Sequence, residues 1–438
     1  MHARLTVRFA ARAALLIALA SSPSLAQEPD SLEGLLERAR ERQAAAVEAI
    51  RPEVDRLVKE LRAAVVEGRR RPIEAARTNL VRVGPIAAPL LIDHLDPGDP
   101  SDPDTRAMAV RVSQVLVATR PRSITEGLLD IVRTGTLEGR LNALRVLGET
   151  PEPQRVCPVL VEVYRRTDGP LRRSSLASLA KIGGPDAEAL LVEALDDPTG
   201  DLAGLALRAL AGSQAVAAAP DVLAFVRQSS FAAANAREVI AYYDACSSAM
   251  TPDHASALID LASDKEAATD DRTAILALIG QYPEAVGDDE RDRLRAIARQ
   301  GLPDLSEAAL VCLAILGDRN ARRELIEPYD DRVAKNKSWA KSYENRGNVL
   351  YRIGEYRDAI RDYRKALDLG AADPRARQEE VHIGLARCYA LVGKLREAAQ
   401  TLRGAPITAA EVKALADDPD FAELRASSRY GDVFDVDR

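Results

Sequence analysis

The chain has 438 residues and a formal net charge of −7, with 60 Lys and Arg against 67 Asp and Glu. Hydrophobic residues make up 47% of it but aromatics only 4%, so the core has to be built from Ala, Leu, Val and Ile. Abundant helix formers and almost no β-branched alternation point to an all-α chain, and the acidic balance speaks against a nucleic-acid partner.

The first residues read as an export signal. Arg4, Arg8 and Arg12 form a basic region, Ala13 to Ala20 a short apolar core, and Ser24-Leu25-Ala26 a small-residue cleavage site. The apolar run is far shorter than the ~20 residues a membrane span needs, and no Cys follows it to anchor a lipid. Cleavage is expected after Ala26, leaving a periplasmic or secreted protein without membrane insertion. Loss of three Arg and no acid would take the charge from −7 to −10.

Residues 27–71 read as an N-terminal helical cap. Val47, Ile50, Val54, Leu57, Leu61 and Val65 form a stripe at helical spacing, with Pro52 expected at a helix start or a kink. The stripe suits capping of the first repeat; self-association through this helix is the competing reading.

Residues 72–335 repeat. Ile73, Arg106, Arg140, Arg172, Ala203, Arg237, Arg272 and Ser306 stand 31 to 35 residues apart. Three residues after each anchor comes a mostly small side chain (Ala76, Ala109, Ala143, Ser175, Ala206, Ile240, Ile275, Ala309), and seven after it a mostly apolar one, with Ser113 and Asp244 the departures. Each unit continues into a second apolar helix after a Gly or Pro breaker. Small residues on one stripe let helices approach closely while Leu and Ile fill the layers between them, so the pattern predicts eight stacked helical hairpins. GRLNALRVLG and LRRSSLASLAKIGGPDAEALLVEAL closely resemble HEAT repeats of the short bacterial kind, with Arg140 and Arg172 at that family's recurrent Arg.

Residues 336–438 carry a different repeat. GNVLYRIGEYRDAIRDYRKAL resembles the tetratricopeptide repeat, with Gly347, Leu350, Gly354, Tyr356, Ala359, Tyr363 and Ala366 at packing positions and Tyr343 as the leading aromatic. Ala386, Tyr389, Gly393, Leu395, Ala398 and Leu402 repeat it 39 residues on, with the family's Pro displaced to Pro374. DDPDFAELRASSRYGDVF looks like a closing segment. The near-even spacing of Gly280, Gly317, Gly354 and Gly393 is consistent with one α-α superhelix, a HEAT-like solenoid continuing into tetratricopeptide hairpins. The resemblance implies a groove lined by Lys341, Asn348, Tyr351, Arg352 and Arg387, suited to a peptide carboxylate or acidic side chains. Glu344 stands where the chaperone-tail clamp would need a Lys, so that ligand is not expected.

Catalytic signatures are missing. His94, His254 and His382 have no partner at metal-binding spacing, so no metal and no cofactor is expected, and each reads as a surface or groove residue. No nucleophile elbow or phosphate loop occurs. Tyr242, Tyr243, Asp244 and His254 are the one cluster worth inspecting for chemistry. The Asp-rich turn from Asp96 to Asp104 lacks the EF-hand spacing and its closing Glu; it reads as helix termination followed by an N-cap at Asp104. Cys157, Cys246, Cys312 and Cys388 each sit singly in apolar helices and read as core residues, with disulfides left open by export. The sequence therefore predicts a non-catalytic exported scaffold for a protein or peptide partner. A HEAT-type lyase, isomerase or accessory enzyme subunit, and a structural envelope component, are the alternatives.

Overall fold

A computed structural model of the chain describes residues 32–99, 101–370 and 378–435. The expected signal and Pro374 lie outside the described residues. Among the described residues the chain is helical and has no strand. Its contacts divide it into two compact units, residues 1–182 and 183–438.

The first unit holds α1 (Leu32–Val66), α2 (Arg70–Val83), α3 (Ala88–Leu91), α4 (Pro103–Thr119), α5 (Thr125–Thr134), α6 (Leu137–Leu147), α7 (Pro153–Arg166) and α8 (Gly169–Ile182). Pro52 falls inside α1, which is one continuous helix and neither starts nor stops there. The prolyl position is on the exposed side, while Val54, Leu57, Leu61 and Ala64 are buried, packed with α1 against α2 and α4. Residues 36, 37 and 39–45 of α1 project without such cover, with Leu36 49% exposed.

Polar side chains join the hairpins of this unit to one another. Asn142 donates to the Leu95 carbonyl across a buried contact of 3.2 Å, and Ser178 donates to the Leu144 carbonyl at 2.8 Å. Ser113, the polar departure in the apolar stripe, is fully buried yet satisfied, donating to the Val110 carbonyl and accepting from Arg145. The Asp-rich turn is consumed in the same way. Asp96 accepts from the Thr136 amide at 2.9 Å and from its hydroxyl, reaching past α4 and α5 to the start of α6. Glycine at 139 leaves room for this carboxylate, since a Cβ there would sit 2.6 Å from Asp96. The N-cap of α4 is Asp102, not Asp104: its carboxylate accepts from the Asp104 amide at 3.0 Å. Pro103 takes the first helical position, where its missing N–H costs nothing, and so moves the cap one residue before it.

The second unit holds α9 (Pro185–Glu193), α10 (Ala203–Gly212), α11 (Ala219–Gln228), α12 (Ala236–Ala245), α13 (Pro252–Ser263), α14 (Thr269–Gly280), α15 (Asp288–Ala298), α16 (Pro303–Ile315) and α17 (Arg319–Lys335). It continues with α18 (Ala340–Arg352), α19 (Tyr356–Gly370), α20 (Glu379–Leu391), α21 (Leu395–Arg403), α22 (Ala409–Ala414) and α23 (Ala422–Ala426). The anchor expected at Arg237 belongs one residue earlier. Val239 and Tyr243 are buried while Ile240 is half-buried and Asp244 exposed, so Ala236, which opens α12, occupies the anchor. Arg272 is 3% exposed and donates to the Ala262 carbonyl at 2.7 Å, satisfying the end of α13 with a cation.

Three of the four evenly spaced glycines are helix stops. Gly317, Gly354 and Gly393 have φ of 86°, 80° and 74°. At each, the glycine amide and the next amide bond back to the last turn, as Gly354 does to Tyr351 and Glu355 to Leu350 at 3.0 and 2.9 Å. That is the Schellman ending, which needs a residue without a Cβ. Gly280 differs: it closes α14, and a side chain there would crowd Ile315 at 3.3 Å.

Candidate partner-binding site

The helix pair α18–α19 and the pair α20–α21 pack around one side chain. Tyr363 of α19 is 1% exposed, and its ring fills the space left by Gly347 on α18 and Gly384 on α20. Its hydroxyl donates to Asn348 Oδ1 at 2.7 Å. Leu350, Ile353, Ala359, Ile360, Ala366, Val381 and Leu385 complete this core. Arg346 braces it from one side with paired hydrogen bonds of 2.7 Å each to the buried Asp362 and a third of 2.9 Å to Asp330 on α17.

The five residues expected to line a groove lie on α18 and α20, which touch each other. Lys341, Asn348 and Arg352 are exposed, and Tyr351 and Arg387 half-buried. All five have partners within the chain. Lys341 pairs with the buried Glu344, and Asn348 accepts from Tyr363. Arg352 donates to Glu307 on α16. Tyr351 donates its hydroxyl to Asp420, and Arg387 donates to Asp418 at 2.8 Å. The carboxylates Glu307, Asp418 and Asp420 are therefore part of the site, and sequence reading missed them as such. Burial is the largest influence on Arg387 and works against its charge, but the hydrogen bond to Asp418 together with the charges of Asp418, Tyr351 and Asp420 outweighs it and raises the pKa. Burial first, then the bond to Asp420, pushes the Tyr351 phenol well above the ordinary range.

Two clefts flank these helices. One, of about 210 Å³, is lined by Arg322, Asp330, Arg346, Asp358, Arg361 and Asp362. Its cations are already paired: Arg322 with Glu355, Arg346 with Asp362, and Arg361 with Asp358. The other, of about 320 Å³, is bordered by Trp339, Lys341, Leu369 and Val381. Trp339 is 55% exposed at the start of α18 and was not anticipated from the sequence.

The cluster at Tyr242 to His254 is core. Tyr242 donates to the Ala215 carbonyl at 2.9 Å, and the Tyr243 ring packs edge-on against His254 with centroids 5.5 Å apart. His254 is 7% exposed, not a surface or groove residue as expected, and its nitrogens meet Thr251 at 2.6 Å and the Ala219 carbonyl at 3.3 Å. Asp244 is exposed, away from that burial. Burial raises the pKa of both tyrosines, which makes poor proton donors of them. Cys246, Cys312 and Cys388 are buried, unbridged thiols, and Cys157 is half-buried. Burial pushes Cys312 and Cys388 up to about 12, so neither is a thiolate near neutral pH. Among the described residues no group of three or more His, Cys, Asp or Glu is placed to hold a metal, and no helix is long and apolar enough to cross a membrane.

Residues 125–211 match the family model of HEAT repeats, and residues 340–369 that of the tetratricopeptide repeat. The chain carries both repeats. No curated protein matches it. The HEAT match runs from α5 into α10 and covers the hairpins whose buried Ser175, Ser178 and Asn142 bond to neighbouring carbonyls or side chains. The tetratricopeptide match covers α18 and α19, including Lys341, Asn348, Tyr351 and Arg352, and stops before the helix that holds Arg387. HEAT and tetratricopeptide repeats are, in general, motifs of protein-interaction scaffolds.

Proposed function

We propose that this protein is an exported, non-catalytic adaptor that binds a protein or peptide partner on the face formed by α18 and α20. The reading is supported chiefly by one observation: Asn348, Tyr351, Arg352 and Arg387, on two touching helices, hold intramolecular hydrogen bonds to carboxylates or to a tyrosine hydroxyl. The donors among them, Tyr351, Arg352 and Arg387, suit an acidic peptide. The basic n-region and short apolar core ending at Ala26 support export, and the mature chain should begin at Gln27. The carboxylates tied up in local turns and the buried tyrosines of α12 weigh against enzyme chemistry. The buried stripe of α1 is spent on α2 and α4, so self-association would have to use the exposed residues around Leu36.

The test is crosslinking and affinity capture from the cell envelope with the full mature chain and with an Asn348→Ala, Tyr351→Ala, Arg352→Ala variant. Capture of a partner by the wild type that falls at least tenfold in the variant is the expected result. Partners captured equally by both would remove the assigned face.

A further inference from the structure

The face that carries Tyr351 and Arg387 is occupied by the chain's own C-terminal segment. Asp418-Pro419-Asp420-Phe421 lies against α20. Arg387 donates through Nε and Nη2 to one oxygen of Asp418 at 2.8 and 2.7 Å. Tyr351 donates to Asp420, whose carboxylate is also 3.9 Å from Arg387. The next residue, Phe421, is fully buried with Ala386 and Ala390 of α20 and lies 5.9 Å from the Phe434 ring, centroid to centroid.

These carboxylates do more than the turn requires. Asp418 caps the turn with its other oxygen, accepting from the Asp420 amide at 3.0 Å; Asn would cap as well. Asp420 does no capping, and its carboxylate is spent on Tyr351 and Arg387. Arg387 is half-buried, and a cation withdrawn from water needs an anion against it. Two carboxylates spaced by one residue and followed at once by an aromatic anchor form a compact recognition element for this face.

We propose that Asp418 to Phe421 is an internal ligand, holding in cis the site that an acidic Asp-x-Asp-aromatic segment of a partner protein takes in trans. The proposal rests on the reading of this face as the partner-binding surface. A tethered segment works at an effective concentration of about 1 mM, so the resting chain keeps the face closed to weak competitors. A partner engages by displacing the segment or after its carboxylates are neutralised.

The test measures fluorescence anisotropy of a labelled peptide, Ala-Leu-Ala-Asp-Asp-Pro-Asp-Phe-Ala-Glu-Leu (residues 414–424), with the full mature chain. A D418N/D420N variant keeps the cap and the Phe421 anchor while removing the charge. It should bind the peptide at least tenfold more tightly than the wild type, and adding Arg387→Gln should abolish the gain. A D418N/D420N protein with wild-type circular dichroism and melting that binds no more tightly overturns the proposal. If the variant does not fold, hydrogen exchange of the wild type decides: excess peptide should lower the protection of amides 418–424 at least tenfold, and unchanged protection overturns the proposal. Envelope partners that depend on Asn348, Tyr351 and Arg352, found alongside equal peptide binding by both proteins, would remove the internal ligand and leave the adaptor reading standing.

Discussion

Tyr363 shows how single residues fix the tetratricopeptide hairpins. A Cβ at Gly384 would stand 2.8 Å from Tyr363 Cζ and one at Gly347 3.1 Å from the ring, and the hydroxyl is pinned to Asn348. The ring thus has no direction in which to yield. Ala in place of a helical Gly gains about 1 kcal/mol of propensity, whereas overpacking costs about 1–3 kcal/mol; the second should win here. Gly384→Ala is expected to lower stability by up to about 2 kcal/mol in urea melts. Gly212 ends α10 with open space around it, so Gly212→Ala should be neutral or stabilising, and a stabilising Gly384→Ala would contradict the packing described. Gly347 was legible in the sequence as a packing position of the repeat; Gly384 was not, because the 39-residue offset puts Ala386 in the matching place. The carboxylates facing Tyr351 and Arg387 were not, because they lie 69 and 31 residues further on and belong to no periodic pattern. Likewise nothing in the local sequence distinguished the buried His254 from a surface histidine; its burial comes from Ala219 and Tyr243, which reach it only through the fold.

Between elements, helix existence was legible throughout the array, and the errors lay at ends and in register. Apolar stripes fix helices, but Pro103 moved a cap from Asp104 to Asp102, and a start at Ala236 shifted α12 by one residue because small side chains on both sides make adjacent registers look alike. Docking of α1 has a pH signature. His94 follows α3 and is half-buried; burial first, then Arg62 of α1, lowers its pKa, while Asp93 and Asp55 work the other way. The folded chain therefore binds this proton less readily than the unfolded chain, whose histidine titrates near 6.5. Stability from the neutral ring is complete above that value and falls as pH drops below it, until the folded ring itself protonates. With solvent damping the interaction, the loss is under about 1 kcal/mol. The drop in Tm from pH 7.5 to 5.5 should be smaller in His94→Gln than in the wild type, and equal drops would show that the ring plays no part.

At the scale of the molecule, hairpins bonded to their sequence neighbours make stability a sum of local terms. The repeat period was sufficient to read that organisation, since each hairpin needs the next to bury its stripe. What the period could not convey was which contacts cross from one hairpin to the next, such as Ser178 to the Leu144 carbonyl or the pair Arg295–Asp318. Leu144 tests the point. It is fully buried on α6, and Leu144→Ala removes a core side chain at a cost of about 2–5 kcal/mol. In a globular chain with one core that loss would lower protection everywhere. In a stacked-hairpin chain it stays with the helices that touch the site and fades beyond them. Hydrogen exchange of Leu144→Ala should show amides of α4 to α8 losing most of their protection while those of α18 to α21 keep theirs within about twofold, which is the scatter expected of independent, additive sites. Uniform loss along the chain would instead mean that the repeats unfold as one cooperative body.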